Sequence, residues 1–165
     1  MPVIRILTSI AAPPERVFDL ARSIDAHQQS TANTREQAVA GRTRGLIGMD
    51  EEVTWEARHL RIRQKLTVKI TRFEPPFRFQ DTMIAGAFEA MTHDHEFIGE
   101  ASGTQMVDRF EFQSPFGFLG VAVDRLFLYG YLRQFLIERN QVLKRMAESD
   151  ASKHFLQSPA NPEVD

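Results

Sequence analysis

The chain has 165 residues, with 22 acidic and 20 basic side chains and a formal net charge of -2. That length fits a single domain, and a charge so close to zero indicates no nucleic acid or other polyanion as a partner. The chain has no cysteine, which excludes disulfides, thiolate nucleophiles and cysteine-bound metals, and we expect a cytoplasmic protein.

The first predicted strand covers residues 2–10, where Ile4, Ile6 and Ile10 alternate with polar side chains. Arg5 interrupts this apolar stretch, so the N-terminus does not resemble a signal peptide. Two prolines and a glutamate at positions 13–15 predict a short helix that ends near Ser23. A second short helix is predicted over residues 25–29, with Asp25 as its cap.

Residues 35–113 alternate polar and apolar side chains in segments separated by turn residues, which predicts antiparallel strands. The predicted breaks are the prolines at 75–76, the turn at 85–87 and the turn at 100–103. Together with the first strand this gives about seven strands, with charged residues facing water and aliphatic residues facing inward.

The last predicted element is a helix of about 30 residues from Phe118 to about Glu148, a stretch without proline. Its first half is apolar on nearly every side, which indicates deep burial. The apolar region at 110–136 is interrupted by four charged residues, so we expect no stable membrane insertion. We therefore predict an α+β domain over residues 1–149, a curved antiparallel sheet wrapped around this helix, followed by a flexible tail over residues 150–165.

Five polar residues fall on strand faces that are otherwise apolar, and burying them is costly unless each finds a partner. They are Gln64, Asp81, His93, His95 and Asp108. If Gly99 pairs with Thr104 across the turn at 100–103, then His95 lies directly opposite Asp108. A turn centred on Ala87 likewise places Asp81 opposite His93. The sequence therefore predicts two imidazole–carboxylate pairs side by side on the inner face.

These pairs leave three interpretations open. In the first, His95 with Asp108 or His93 with Asp81 acts as a catalytic acid or base. In the second, both histidines and one aspartate bind a metal, because residues i and i+2 of a strand point the same way. We favour the third, in which the pairs polarise one end of a binding cavity or satisfy each other, and we expect neither a metal nor another cofactor.

Apolar residues of the same faces are predicted to line a pocket for a ligand. With Gln64, the predicted ligand-binding residues are Trp55, Phe79, Met83, Met91, Phe97, Met106, Phe110 and Phe112. The alternative is that they fill an ordinary core, and for Trp55 core filling is the favoured role. Arg139, on the last helix, is expected to be exposed to solvent.

Two sequence markers resemble the START-like helix-grip superfamily, also called SRPBCC or birch-pollen-allergen-like. The segment at 12–18, APPERVF, resembles the strand-to-helix passage of that superfamily. The strings HDHEF at 93–97, GTQMVD at 103–108 and SPFGFLG at 114–120 resemble its ligand-binding SRPBCC subgroup of uncharacterised bacterial proteins. The resemblance implies a cavity but no chemistry, because the superfamily includes lipid carriers, hormone receptors, polyketide cyclases and dehydratases, and ring-hydroxylase subunits.

We therefore expect binding or carriage of a small hydrophobic or aromatic ligand, such as a lipid, a polyketide-like molecule or a quinone-like molecule. The alternative is a cyclase, dehydratase or isomerase that transfers protons through a histidine–aspartate pair. A third hypothesis is an interaction module that uses the loop at 116–119 and has no pocket. The sequence indicates no oligomeric state.

Overall fold

The structure is a computed structural model that describes residues 1–59, 61–114 and 127–156. Its described residues contain seven strands in one antiparallel sheet of order β1-β7-β6-β5-β4-β3-β2. The strands are β1 (Val3–Ile10), β2 (Gln37–Gly41), β3 (Glu52–His59), β4 (Ile62–Glu74), β5 (Arg78–Ala85), β6 (Ala90–Glu100) and β7 (Gly103–Gln113). Register shifts in β2 and β4 interrupt the ladder, and such bulges bend a strand. The predicted α+β fold with about seven strands is confirmed.

Two short helices follow β1, as predicted. Helix α1 (Pro14–Ala21) has proline at its first position and Glu15 in its first turn, both favourable at a helix N-terminus. Helix α2 (Ile24–Ser30) is capped by Ser23, whose side chain accepts a hydrogen bond from the Ala26 amide at 3.2 Å. The predicted cap, Asp25, instead accepts from the Gly45 amide at 2.8 Å and ties α2 to the loop before β3.

The long C-terminal helix is described as α3 (Tyr129–Ala147). The earlier part of the predicted helix and the loop at 116–119 lie outside the described residues. A further helix, α4 (Ala151–Leu156), occupies the start of the predicted tail. It packs against α1 and α3, and Ser152 is only 3% exposed. The sequence prediction missed this helix because six residues carry too little periodicity. Among the described residues, no helix is both long and apolar enough to cross a membrane.

The core lies between the inner face of the sheet and the helices. On β1 every second residue is buried, so the predicted alternation is confirmed. Phe18 of α1 is 1% exposed, and its ring centre lies 5.5 to 5.7 Å from the rings of Phe73, Phe79 and Phe97. Burial of one such side chain stabilises the fold by about 1.5–3 kcal/mol relative to exposure. The aromatic cluster therefore anchors α1 across strands β4, β5 and β6.

The predicted strand register is also confirmed at the positions that matter for the site. Gly99 pairs with Thr104, His95 lies opposite Asp108, and Asp81 lies opposite His93. The turn before β7 is fixed by Gly103, whose φ of 138° favours glycine. A Cβ atom there would lie 2.2 Å from the carbonyl oxygen of Ile10. This close approach holds the β6–β7 hairpin in register against the end of β1.

Candidate functional site

A cavity of about 480 Å³ lies between the sheet and helices α2 and α3. Its wall is largely aliphatic and aromatic, with contributions from β3 to β7 and from α3. Of the predicted ligand-binding residues, five line this cavity: Trp55, Gln64, Phe79, Met91 and Phe110. A volume of this size is typical of sites for small organic ligands.

Four predicted ligand-binding residues lie elsewhere. Phe97, Met106 and Phe112 are at most 1% exposed and belong to the packed core rather than the cavity wall, and Met83 packs beside that core. Alternation in a strand fixes the face of each residue, but the helices decide whether that face meets an open cavity or packed side chains. Phe97 is an example of a packed position, with the rings of Phe18 and Phe79 against its own.

One wall of the cavity carries an imidazole–indole pair that the sequence did not predict. The ring of His27, from α2, stacks on Trp55 with 4.1 Å between ring centres. Nε2 of His27 lies 2.6 Å from a carboxylate oxygen of Glu36. No local pattern signals this pairing, because it joins α2, the segment before β2 and strand β3. Trp55 therefore both packs on a neighbour and contributes to the cavity wall.

A buried polar network closes another side of the cavity, with Asp108 at its centre. Asp108 is 0% exposed, and its Oδ1 lies 3.0 Å from Nε2 of His93 and 2.8 Å from Nδ1 of His95. The His95 contact is an ion pair whose angle falls outside the hydrogen-bond range. Asn140 of α3 donates to Oδ2 of Asp108 at 2.6 Å. Asp108 does not line the cavity, so it supports the residues that do.

The hydrogen bonds join the residues diagonally and not straight across the strands. His93 is hydrogen-bonded to Asp108, while Nε2 of His95 lies 3.2 Å from Oδ1 of Asp81. The register is the predicted one, yet the pairing predicted from it is incomplete, since long and aromatic side chains also reach their diagonal neighbours. His95 thus lies between two carboxylates, and its ring centre is 3.9 Å from that of His93.

These contacts set opposite proton affinities for the two histidines. Burial lowers the pKa of His93, and the neighbouring charge of His95 lowers it further, so His93 is neutral near pH 7. Burial also opposes protonation of His95, but its contacts with Asp108 and Asp81 outweigh that effect and raise its pKa. The same contacts outweigh burial at Asp81 and hold the pKa of Asp108 well below its ordinary value. Both carboxylates are therefore ionised.

Arg139 completes the polar side and overturns the expectation of solvent exposure. It is only 4% exposed and lines the cavity. Its Nη1 lies 3.7 Å from Oδ1 of Asp108 and 3.5 Å from Oδ1 of Asn140. Its Nε is buried and has no hydrogen-bond partner among the described residues. The residue type alone predicted exposure, and the docking of α3 against the sheet decides that Arg139 is buried.

Asp81, His93 and His95 are spaced so that they could hold a metal ion, because one ligand atom from each lies within 4.8 Å of the others. Arg139 and a protonated His95 would oppose a cation there. Without a metal, His93 offers a proton-accepting nitrogen, since its neutral ring donates the Nε2 hydrogen to Asp108 and Nδ1 keeps its lone pair. His95 has a carboxylate oxygen beside each ring nitrogen and is suited to remain a cation.

The chain matches one known protein family over most of its length. Residues 10–138 match the family described as polyketide cyclase / dehydrase and lipid transport. No curated protein matches the chain by sequence.

Among solved structures, TTHA0849 from Thermus thermophilus superposes with a TM-score of 0.73 at 18% identity, covering 88% of this chain and 97% of that chain. The Zhui aromatase/cyclase from Streptomyces sp. R1128 gives a TM-score of 0.72 at 12% identity, covering 89% and 93%. Major latex-like protein 151 from Panax ginseng gives 0.68 at 10% identity, covering 90% and 98%. At these identities the likeness establishes a shared fold and leaves the function of each protein its own.

Proposed function

Because the chain belongs to the polyketide cyclase / dehydrase and lipid transport family, within the helix-grip SRPBCC superfamily, we propose that it binds and carries a small, largely apolar molecule. The observation that carries this proposal is the internal cavity of about 480 Å³, apolar over most of its wall and polar at one side. Apolar walls supply affinity and a few placed polar groups supply orientation, which is the usual design of a small-molecule site.

The wall supports a lipid, a polyketide-like ring compound or a quinone-like molecule as the cargo. Phe79 and Phe110 offer aromatic surfaces to the cavity, and Phe79 is itself stacked on His95 with 4.3 Å between ring centres. Rigid aromatic walls favour flat ligands, because rings gain from offset stacking in addition to burial.

Native mass spectrometry of the freshly purified protein tests this proposal by detecting a co-purifying small molecule. A second test uses the apolar fluorophore N-phenyl-1-naphthylamine and the cavity-filling variant Ala57→Phe. Ala57 lines the cavity, whereas Ala85 is exposed at the end of β5, so Ala85→Phe is the matched control. We expect the fluorophore to bind wild type and Ala85→Phe and to bind Ala57→Phe at least about 10-fold more weakly, the effect of losing about 1.4 kcal/mol. Equal binding by all three proteins would contradict a cavity site.

Acid–base catalysis is the second candidate function, and the His93–Asp108 pair favours it. The carboxylate of Asp108 holds Nε2 of His93, which leaves Nδ1 as a base on a residue of the cavity wall. This arrangement supports His93 as the base with Asp108 as its positioning residue, in place of the His95–Asp108 pairing expected from the strand register. His95, between two carboxylates, would stabilise negative charge that develops on a substrate.

Turnover of the co-purified molecule distinguishes the carrier from the enzyme. The rate of its conversion is measured in wild type, in His93→Gln and in His27→Gln, the last being a cavity-wall histidine that stacks on Trp55. For an enzyme we expect His93→Gln to lower the rate by about 100-fold or more. A carrier would release the molecule unchanged from all three proteins.

A further inference from the structure

Arg139 is a buried cation whose hydrogen-bond donors are not all paired with acceptors of the site. It lies on the cavity wall with 4% exposure. Both of its polar contacts within the described part of the chain are long, 3.5 Å to Asn140 and 3.7 Å to Asp108, and its Nε has no partner there. A buried arginine normally has its donors satisfied, because an unsatisfied buried charged group costs stability. This guanidinium, on a residue of the cavity wall, therefore has hydrogen-bond donor capacity that the described residues do not use.

The net charge of the polar side determines which kind of acceptor fits. Asp81 and Asp108 supply two negative charges. Arg139 supplies one positive charge, and His95 supplies another because a carboxylate oxygen lies beside each of its ring nitrogens, at 2.8 and 3.2 Å. The four charges balance before any ligand enters.

A carboxylate ligand would place a third negative charge in this buried environment. His93, which also lines the cavity, donates its Nε2 hydrogen to Asp108 and so supplies no positive charge to balance that carboxylate. The other cations of the cavity wall have carboxylate partners of their own, Arg22 with Asp19 and Lys65 with Glu56. A neutral carbonyl oxygen accepts a hydrogen bond without adding charge, so it is compatible with a site that is already balanced.

From this geometry we propose that Arg139 is the specificity-determining residue of the cavity. Its guanidinium donates to a neutral carbonyl oxygen of an otherwise apolar ligand, so the cavity prefers ketones to hydrocarbons and to carboxylates of the same size. The inference rests on the proposed function, since it concerns the cargo of the same cavity.

Three matched naphthalenes test the inference by isothermal titration calorimetry at pH 7.5. They are 2-acetylnaphthalene, its alkene isostere 2-isopropenylnaphthalene, and 2-naphthoate. The ketone and the alkene differ only in an oxygen exchanged for a methylene group, so their difference isolates the hydrogen bond. We expect the ketone to bind wild type about 10-fold or more tightly than either of the others, since a hydrogen bond to a charged group has that magnitude.

Two variants assign the preference to Arg139. Arg139→Met removes all donors at similar length, and Arg139→Lys keeps the positive charge but loses the Nε donor and the planar group. In both we expect the ketone and the alkene to bind with affinities within about 2-fold of each other. Arg133, on the same helix and exposed, provides the matched controls Arg133→Met and Arg133→Lys, which are expected to retain the full preference. Circular dichroism verifies that each variant is folded, and the wild-type comparison of the three probes needs no variant.

The outcomes separate this inference from the proposed function. If the alkene binds wild type as tightly as the ketone, the carbonyl preference is wrong while the cavity function stands. If 2-naphthoate binds most tightly, the charge argument is wrong. If the preference persists in Arg139→Met, it belongs to another residue and the assignment fails. If none of the three naphthalenes binds, the proposed function itself fails and this inference fails with it.

Discussion

Replacing Asp108 by asparagine removes the central acceptor of the buried network at nearly constant shape. The carboxylate is completely buried and accepts from His93 at 3.0 Å and from Asn140 at 2.6 Å, with Nδ1 of His95 at 2.8 Å. An asparagine has one acceptor oxygen and one donor group, so in either orientation its NH₂ faces another donor. The substitution also removes one of two buried negative charges. The carboxylate of Asp81 then remains to balance the positive charges of His95 and Arg139.

The expected loss of unfolding free energy is about 3–5 kcal/mol, the magnitude for breaking a buried ion pair by removing one partner. That is a large part of a total stability of about 5–15 kcal/mol. With a urea slope of about 2 kcal/mol per M, the urea midpoint falls by about 1.5 M or more.

Asp94→Asn is the matched control for this measurement, being the same substitution on the neighbouring strand. Asp94 is 4% exposed and accepts from Arg78 at 2.6 and 3.0 Å and from Gln80 at 3.0 Å. The side chain of Arg78 is 26% exposed, so water can replace the lost acceptor. We expect this variant to lose about 1 kcal/mol.

Urea unfolding at pH 7, followed by circular dichroism, gives both losses. Repeating the urea unfolding in acid tests whether the stabilisation by Asp108 depends on its negative charge. Because the pKa of Asp108 is lowered on folding, its stabilisation is present above its ordinary value of 3.8 and is lost as the pH falls below that value. The advantage of wild type over Asp108→Asn should therefore shrink in acid. Equal losses in Asp108→Asn and Asp94→Asn at pH 7 would refute the role assigned to the network.

His95 provides a prediction of opposite sign. Its pKa is raised on folding by its contacts with Asp108 and Asp81. Its stabilisation of the folded state is therefore complete below the ordinary value of 6.5 and is lost as the pH rises through the raised value. His95→Gln should therefore destabilise the protein more at pH 6 than at pH 9 in urea unfolding, and a loss that grows with pH would show that the sign is wrong. Gly103→Ala should lower the unfolding free energy by roughly 2 kcal/mol or more, because φ is 138° and the new Cβ would meet backbone of Ile10 at 2.2 Å. Gly99→Ala, whose Cβ would lie 3.3 Å from Cγ of Pro14, should cost less than about 1 kcal/mol, and thermal unfolding compares the two.

The polar site shows which features can be predicted from the alternation of residues along a strand. The residues on the inner face of β6 follow from alternation, and the position of His95 opposite Asp108 follows from the length of one turn. Both are local consequences of the backbone, because side chains alternate with period two and a hairpin turn fixes the register. The hydrogen bonds do not follow from register, since His93 reaches Asp108 and His95 reaches Asp81 diagonally.

The cavity wall shows a second feature that strand patterns do not predict. Phe79 and Phe97 lie on inner faces of adjacent strands and both were predicted to contact a ligand, but only Phe79 lines the cavity. Phe18 of α1 packs against both rings, so neither the strand face nor this helix contact distinguishes the two residues. Whether an inward side chain meets packed atoms or a cavity depends on the helices that cover the sheet, and no strand pattern contains that information.

By itself the sequence determined the fold, the register of the hairpin and the inward direction of both histidines, because these depend on short-range periodicity and turn geometry. The tertiary structure alone decided three other features: the His27–Trp55 pair, the diagonal hydrogen bonds and the burial of Arg139. The burial of Arg139 changes the chemistry of the site most. Arg139 is 31 positions away from Asp108 in the chain, and its distance from that carboxylate is set by the rotation of α3 about its own axis as it packs on the sheet. Helical periodicity identifies the stripe on which a residue lies, but the packing of the whole core decides which stripe faces the cavity.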